Sequence, residues 1–421
     1  IKTARVISQM KHAGEWGLKA PQVEFDFAEV MERVQRVIRA IEPHDSAERY
    51  AGLGVEVIQG AARITSPWTV EVDGRTLTTR SIVIAAGAEP FIPPIPGIER
   101  TECLTSDTVW GLRELPARLL VLGGGPIGCE LSQAFARLGS KVTQVEMSAR
   151  LLPREDPEFS AMVAARMGDD GVEVRVAHKA VRFEGKTLVC EHEGREVRMA
   201  FDVLLCAVGR AARTKGYGLE ELGIPLGKAR TIETNEFLQT LYPNIYACGD
   251  VAGPYQFTHV GAHQAWFASV NALFGTLRRF RADYSVIPWA TFTDPEVARV
   301  GLSETEARER GIACEVTVYG LDDLDRAIAD GTAHGQVKVL TAPGSDRILG
   351  VTIAGEHAGD LIAEFVTAMR HGLGLNKILG TIHIYPTYAE ANKYAAGAWK
   401  KAHAPQRVLG WLERFHAWMR G

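Results

Sequence analysis

The 421-residue sequence predicts an α/β protein: two βαβ-type domains, one inserted in the other, followed by an α+β domain. Three observations carry this. A glycine-rich turn, VLGGGPIGCE (Val121–Glu130), joins an apolar run to a helical pattern. Three other apolar runs end in glycine, at Gly87, Gly209 and Gly249. From about Ser285 the pattern changes to alternating strands, QVKVL and ILGVTIAG, and then a helix, AGDLIAEFVTAMRHG.

Taken in order, IKTARVISQMKHAGEWG and FAEVMERVQRVIRAIEP have apolar residues at helical spacing. Val55–Ile58 reads as a short strand ending at Gly60, and TVEV with Asp73 and Gly74 opens a hairpin. SIVIAAGAEPFIPPIPG is a buried strand running into a proline-rich loop. From Leu115 a βαβ unit continues through GVEVRV to VLLCAVGR; IYACGDVAG is a further buried strand, followed by a helix around HQAWFASVNALF.

The glycine turn carries the most chemistry. Gly123, Gly125 and Gly128 form G-x-G-x-x-G between the apolar run Leu119–Leu122 and the helix ELSQAFARLGS. The first glycine permits the tight turn, the second admits a pyrophosphate to the backbone, and the third lets helix and strand pack closely. Pro126 and Ile127 complete this loop at the helix start, whose N–H groups and dipole favour phosphate. The second strand, KVTQVE, ends at Glu146, where a carboxylate would hold a ribose 2′-hydroxyl and repel a 2′-phosphate. This favours NAD over NADP, although Arg150 nearby softens the preference. Together with the three other glycine endings, the pattern points to two Rossmann-like nucleotide sites. Asp250, after Gly249, is placed to accept from a ribitol or ribose hydroxyl; its competing reading is a helix N-cap.

Composition limits the alternatives. The chain is 46% hydrophobic and 23% charged with net charge −4, which gives no basic field for nucleic acid. No apolar run reaches the ~20 residues of a membrane span, and no signal peptide opens the chain. Six cysteines, at 103, 129, 190, 206, 248 and 314, form neither C-x-x-C nor a metal-ligand cluster. Reduced thiols, a cytoplasmic location and no metal site are therefore expected. The chain opens on Ile1, as a fragment or a processed protein would.

The segments IVIAAGAEP, VLGGGPIGCE, LLCAVGR, NIYACGDVAG, FTDPEVARVGLSETEA and IHIYPTYAEANK together resemble the flavoprotein pyridine nucleotide–disulfide oxidoreductases, in that family's order. The resemblance implies an FAD domain over 1–114 and 241–285, an NAD(P) domain over 115–240, and a dimerisation domain over 286–421. It further implies that Asp250 binds the FAD ribityl chain, with Gly87, Gly249 and Thr258 also on the FAD side, and that Ala62 lies near the adenine. Glu130 would sit near the flavin. Val181 and the turn Ala207–Gly209 would line the nicotinamide nucleotide. The expected function is an FAD-dependent NAD(P)H oxidoreductase, a homodimer passing electrons from NADH through FAD to a disulfide or small-molecule acceptor. ELSQAFARLGSKVT, LPREDPEFS and LDDLDRA look most similar to mercuric reductases.

The sequence departs from the family pattern at several points. The family's histidine in H-P-T-x-x-E is Tyr385 here, with Pro386, Thr387 and Glu390 kept. Tyrosine, with a pKa near ~10, is a poor base at neutral pH and a good hydrogen-bond donor. His383, which shares a face with Tyr385 if the stretch is extended, is read as structural. No cysteine follows Cys314, so the terminal pair of mercuric reductases is missing and mercury reduction is not expected. The family's GRxPNT stretch is altered to GRAARTK. Its first glycine motif and C-x-x-x-x-C pair are also absent from these residues, so the chain shown is not expected to complete a dithiol cycle. Soluble pyridine nucleotide transhydrogenase is the alternative activity, and a non-catalytic dinucleotide-binding module is the alternative class.

In the last stretch, Val408, Trp411, Leu412, Phe415 and Trp418 fall on one helical face, with Arg407, Arg414 and Arg420 elsewhere. This pattern resembles an interfacial membrane helix. Packing on its own domain or on a dimer partner is the preferred reading.

Overall fold

The computed structural model describes residues 1–19 and 22–421. Apart from Ile1, the chain forms two bodies: Lys2–Met147 with Gly171–Tyr284, and Ser148–Asp170 with Ser285–Gly421.

The centre of the first body is a five-stranded, all-parallel sheet. Its strands, in spatial order, are Cys103–Leu104, Val203–Cys206, Arg118–Leu122, Lys141–Val145 and Val172–Arg175. Continuous apolar runs suit such strands because both sheet faces are covered, and Leu119, Leu120 and Val121 are at most 2% exposed. One face packs against a three-stranded antiparallel sheet, Lys179–Phe183, Thr187–His192 and Arg195–Ala200. There Phe183 and Phe201 meet edge-on at 6.0 Å. The helix Pro126–Arg137 rises from the glycine turn, and the Lys11 ammonium donates to its last carbonyl, Arg137 O, at 3.1 Å.

A second core in the same body gathers Ile64, Ile82, Ile84, Leu219, Ile232, Ile245 and Ala247. It joins the parallel pair Ile82–Ile84 and Ile245–Ala247 to the antiparallel sheet Ala62–Ser66, Thr69–Val72, Arg75–Thr78. Both expected N-terminal helices form, over Lys2–Lys11 and Phe27–Ile41, the latter N-capped by Asp26. Val55–Ile58 is not a strand. Alternating valines made it look like one, but Val55 and Val57 are 51% and 43% exposed, and no neighbouring strand among the described residues offers a hydrogen-bond ladder.

The second body has a five-stranded antiparallel sheet in the order Pro288–Thr291, Glu296–Gly301, Ile348–Gly355, Gln336–Thr341, Glu315–Gly320. Helices Ala358–Arg370 and Glu390–Ala402 cover it through Ile362, Phe365, Ala391, Ala395 and Trp399. Ser148–Asp170 joins this body through charge. Asp156 accepts from the Glu304 and Thr305 N–H groups at 3.0 and 2.9 Å and from the Lys338 ammonium at 3.1 Å. The helix Gln406–Met419 forms as expected, and none of its residues is buried within the chain.

Candidate functional site

The strand Arg118–Leu122 delivers the chain into Gly123 at φ +115°, a conformation that side chains resist. A Cβ there would lie 2.4 Å from the Ala207 carbonyl oxygen; at Gly128 it would lie 2.2 Å from the Gly123 carbonyl oxygen. Both positions need glycine for the fold itself. Gly125 is different. It has an ordinary extended backbone, φ −77° and ψ −178°, and a Cβ there would meet nothing within 4 Å. The backbone at Gly125 therefore borders open space at the N-terminus of Pro126–Arg137, where no side chain caps the helix. Ile127 and Gly128 stand in that first turn, where helical N–H groups have no intrahelical acceptor. This is the shape and polarity that a pyrophosphate requires.

Glu146 closes the loop from the next strand, its carboxylate accepting from Gly124 N–H at 2.6 Å. Its backbone is pinned on both sides, with N–H to Arg175 O at 2.9 Å and O accepting from His178 N–H at 3.0 Å. Gln144, wholly buried, donates to the Gly123 carbonyl at 2.9 Å and holds the turn from below. Burial pushes the Cys129 thiol, on the same helix, up to about 12, so it is inert as a nucleophile. Glu130, next to it, is half-buried.

The turn Ala207–Gly209 lies against this loop through the Gly123–Ala207 approach and through Ala207 N–H to Leu122 O at 2.8 Å. Arg210 then fastens three segments. It donates to Ala88 O at 2.8 Å and to Asp107 at 3.1 Å, and its Nε lies 4.0 Å from the Asp250 carboxylate. Gly87 is drawn into the same group by Arg213 N–H to Gly87 O at 3.0 Å. Asp250 is not a helix N-cap: it sits inside the 3-10 turn Gly249–Val251, whose cap is Cys248, and the helix Thr258–Phe274 is capped by Phe257. Gln264 of that helix accepts from Gly249 N–H at 2.7 Å and donates to Gly253 O at 2.6 Å.

Val181 is half-buried where the strand register shifts between Ala180 and Arg182, a bulge that re-aims a side chain. Ala62 is exposed at the start of Ala62–Ser66, and Thr258 is exposed at the first position of its helix. The structure thus gathers Gly123, Gly125, Pro126, Ile127, Gly128, Glu146 and Ala207 at one loop, and Gly87, Gly209, Gly249 and Asp250 around Arg210. Among the described residues, no hydrogen bond or ion pair ties Ala62 or Thr258 to either group.

In the second body Tyr385 and Glu390 have separate partners. The Tyr385 hydroxyl donates to Asp325 Oδ2 at 2.9 Å, and this carboxylate raises the phenol above its ordinary pKa. Glu390, 4% exposed, accepts from Thr387 N–H at 3.3 Å and from the Tyr394 hydroxyl at 3.2 Å. His383 does not share the surroundings of Tyr385. Its ring nitrogens face Thr381 O at 3.0 Å and the Glu364 carboxylate at 3.0 Å, and its side chain is 6% exposed.

Asp156, Glu158 and Glu304 also converge there, in the manner of a metal site. The Lys338 ammonium stands among them at 3.1, 2.5 and 2.7 Å and pairs with all three carboxylates. Sequence reading missed Gln144, Arg210, Gln264 and Asp325. The only signal for Arg210 was its place directly after a glycine ending; the others have partners remote in sequence.

Among the described residues no helix is long and apolar enough to cross a membrane. Residues 17–265 match the family model of pyridine nucleotide-disulphide oxidoreductases, and 287–396 match its dimerisation domain. The chain is 35% identical over 410 residues to the dihydrolipoyl dehydrogenase of Thermus scotoductus, covering 95% of this chain and 87% of that protein. It is 33% identical over 384 residues to the mercuric reductase of Staphylococcus aureus, covering 90% and 70%. Among solved structures, a Cu(II) complex of the HOCl-induced flavoprotein disulfide reductase RclA from Escherichia coli superposes with a TM-score of 0.80 at 27% identity, over 92% of this chain and 88% of that one. The glycine loop, the paired strand exits and these matches lead to one conclusion: the chain belongs to the FAD-binding, NAD(P)-dependent pyridine nucleotide-disulphide oxidoreductase family.

Proposed function

We propose that this protein is a flavin-dependent oxidoreductase that takes reducing equivalents from NADH and delivers them to a disulfide or another acceptor, in the manner of mercuric reductase and dihydrolipoyl dehydrogenase. The observation that carries the nucleotide assignment is the open space at Gly125, bordered by the helix N-terminus and the Glu146 carboxylate. Gly123 and Gly128 keep the loop tight, and the first-turn N–H groups meet the pyrophosphate. Glu146 exchanges its bond to Gly124 for one to the ribose 2′-hydroxyl, which disfavours NADPH by charge repulsion. Arg210 steadies Asp250 for the flavin side chain and Gly209 for the nicotinamide side. When bound, FAD supplies two-electron chemistry that no side chain possesses.

Tyr385 works as a donor, not as a base. With Asp325 raising its pKa, it stays protonated at neutral pH and offers an O–H to the acceptor. Glu130, Val181, Ala62 and Thr258 keep the roles that the family resemblance implies, and Glu390, held by Thr387 N–H and the Tyr394 hydroxyl, supports the stretch that carries Tyr385. The lack of a base at 385 favours a second reading, hydride exchange between two nicotinamide nucleotides, which requires no thiol deprotonation. Steady-state assay of the FAD-loaded protein separates the two. NADH oxidation with a disulfide or metal acceptor supports the first reading. Turnover only with an oxidised nicotinamide nucleotide supports the second, and no NADH turnover with any acceptor overturns both.

A further inference from the structure

The helix Gln406–Met419 has no buried residue, although it carries a continuous apolar face. Val408, Trp411, Leu412, Phe415, Trp418 and Met419 are 36% to 76% exposed. On a helical wheel at 100° per residue they fill one sector about 120° wide. Arg407 and Arg414 stand together along one edge of that sector, and His416 lies beyond the other. Trp411, Phe415 and Trp418 already touch one another, with ring centroids 5.7 and 6.1 Å apart, and so form one continuous aromatic surface. From 400 to 421 there are five basic side chains and one acid, Glu413, whereas the whole chain is net −4. The helix also lies beyond the dimerisation-domain match, which ends at 396.

We propose that this helix docks the protein on an anionic lipid bilayer, lying in the interfacial plane with its aromatic face among the acyl chains and its arginines at the phosphates. Charge complementarity selects this occupant. A basic helix edge beside an aromatic face suits a negative lipid surface, and tryptophan ring systems are enriched at the headgroup boundary. Fourteen residues are too short to span a bilayer, so the contact is with one leaflet.

The test is flotation of the full-length FAD-loaded protein with vesicles of phosphatidylcholine alone or with phosphatidylglycerol added, at two salt concentrations. Expected are binding to the anionic vesicles, weaker binding at high salt, and at least about tenfold weaker binding for R407E/R414E. The triple variant W411S/F415S/W418S should stay with the soluble fraction while its circular dichroism and NADH oxidation match the unaltered protein. The proposal is overturned if the unaltered protein ignores anionic vesicles, or if the triple variant floats equally well. It is also overturned if the triple variant falls from dimer to monomer in analytical ultracentrifugation, because a second copy would then be what covers the face.

Discussion

Gly125→Ala and Gly128→Ala are chemically the same change three residues apart, and the structure assigns them opposite consequences. At Gly128 the new methyl would sit 2.2 Å from the Gly123 carbonyl oxygen, a backbone atom. Either the helix or the strand exit must move by about 1 Å, and overpacking of that kind costs roughly 1–3 kcal/mol. A melting temperature lower by at least about 2 °C is expected. At Gly125 the methyl meets no protein atom within 4 Å, and the backbone is already one that alanine adopts. Stability should change by less than about 1 kcal/mol, the scale of an N-cap substitution. The methyl does, however, take the space where a phosphate oxygen would meet the first-turn N–H groups. Losing one charge-assisted hydrogen bond there costs roughly 1.5–3 kcal/mol, which is about 10- to 150-fold in the Kd for NADH. Thermal melting and fluorescence titration with NADH measure the two quantities separately. If Gly125→Ala binds NADH within about twofold of the unaltered protein, the pyrophosphate does not lie at this turn and the nucleotide assignment fails.

Glu146→Ala should weaken NADH more than NADPH, by roughly 1.5–3 kcal/mol for a charged hydrogen bond; equal losses in paired titrations would remove Glu146 from the ribose. Lys338→Met should destabilise the protein by about 3–5 kcal/mol, because buried Asp156 loses its ammonium partner; urea denaturation reads this directly. Burial by itself would raise the pKa of Asp156, but hydrogen bonds from Thr305, Glu304 and Lys338 hold it down at about 2. A depressed carboxyl contributes stability above its unfolded pKa and loses it as pH falls, so about 2 kcal/mol should disappear between roughly pH 4 and pH 2. Acid titration of the unaltered protein and of Asp156→Asn checks this, since the asparagine variant should lack that component. Tyr385→Phe should lower kcat about tenfold or more while leaving the shape of the pH–rate profile between pH 6 and 9 unchanged. Loss of a limb from that profile would show that the phenol acts as a base.

How well each part could be read from the sequence follows from how local its cause is. The G-x-G-x-x-G loop was legible because its constraints act within a few residues: a positive φ at Gly123 and a helix backbone closing on it at Gly128. Glu146 was legible because a βαβ unit fixes its distance from the glycines. Gln144, two residues earlier on the same strand, was not, since an amide holding a carbonyl leaves no pattern in composition. The Tyr385–Asp325 bond joins residues 60 apart, beyond any periodicity. Val55–Ile58 failed for a related reason: alternation shows that a segment could pair, but a partner strand decides whether it does. The tail helix was legible as a helix with one apolar face, whereas the exposure of that face was not.

The Asp156–Lys338 bond spans 182 residues, and its two ends belong to a body whose pieces are interrupted by Gly171–Tyr284. That has a consequence for the order of events on the ribosome. Asp156 emerges long before the ammonium that will neutralise it, and the whole intervening stretch must be synthesised before the sheet of the second body can close over both. Closing so long a loop is entropically slow. A fragment beginning at Ser285 would hold every strand of that sheet and still carry Lys338 and Arg299 without Asp156 and Glu155. Cut at that boundary, the dimerisation region would keep Glu304 beside Lys338 and Glu306 beside Arg299 but lose the carboxylates of Asp156 and Glu155, made more than a hundred positions before Ser285.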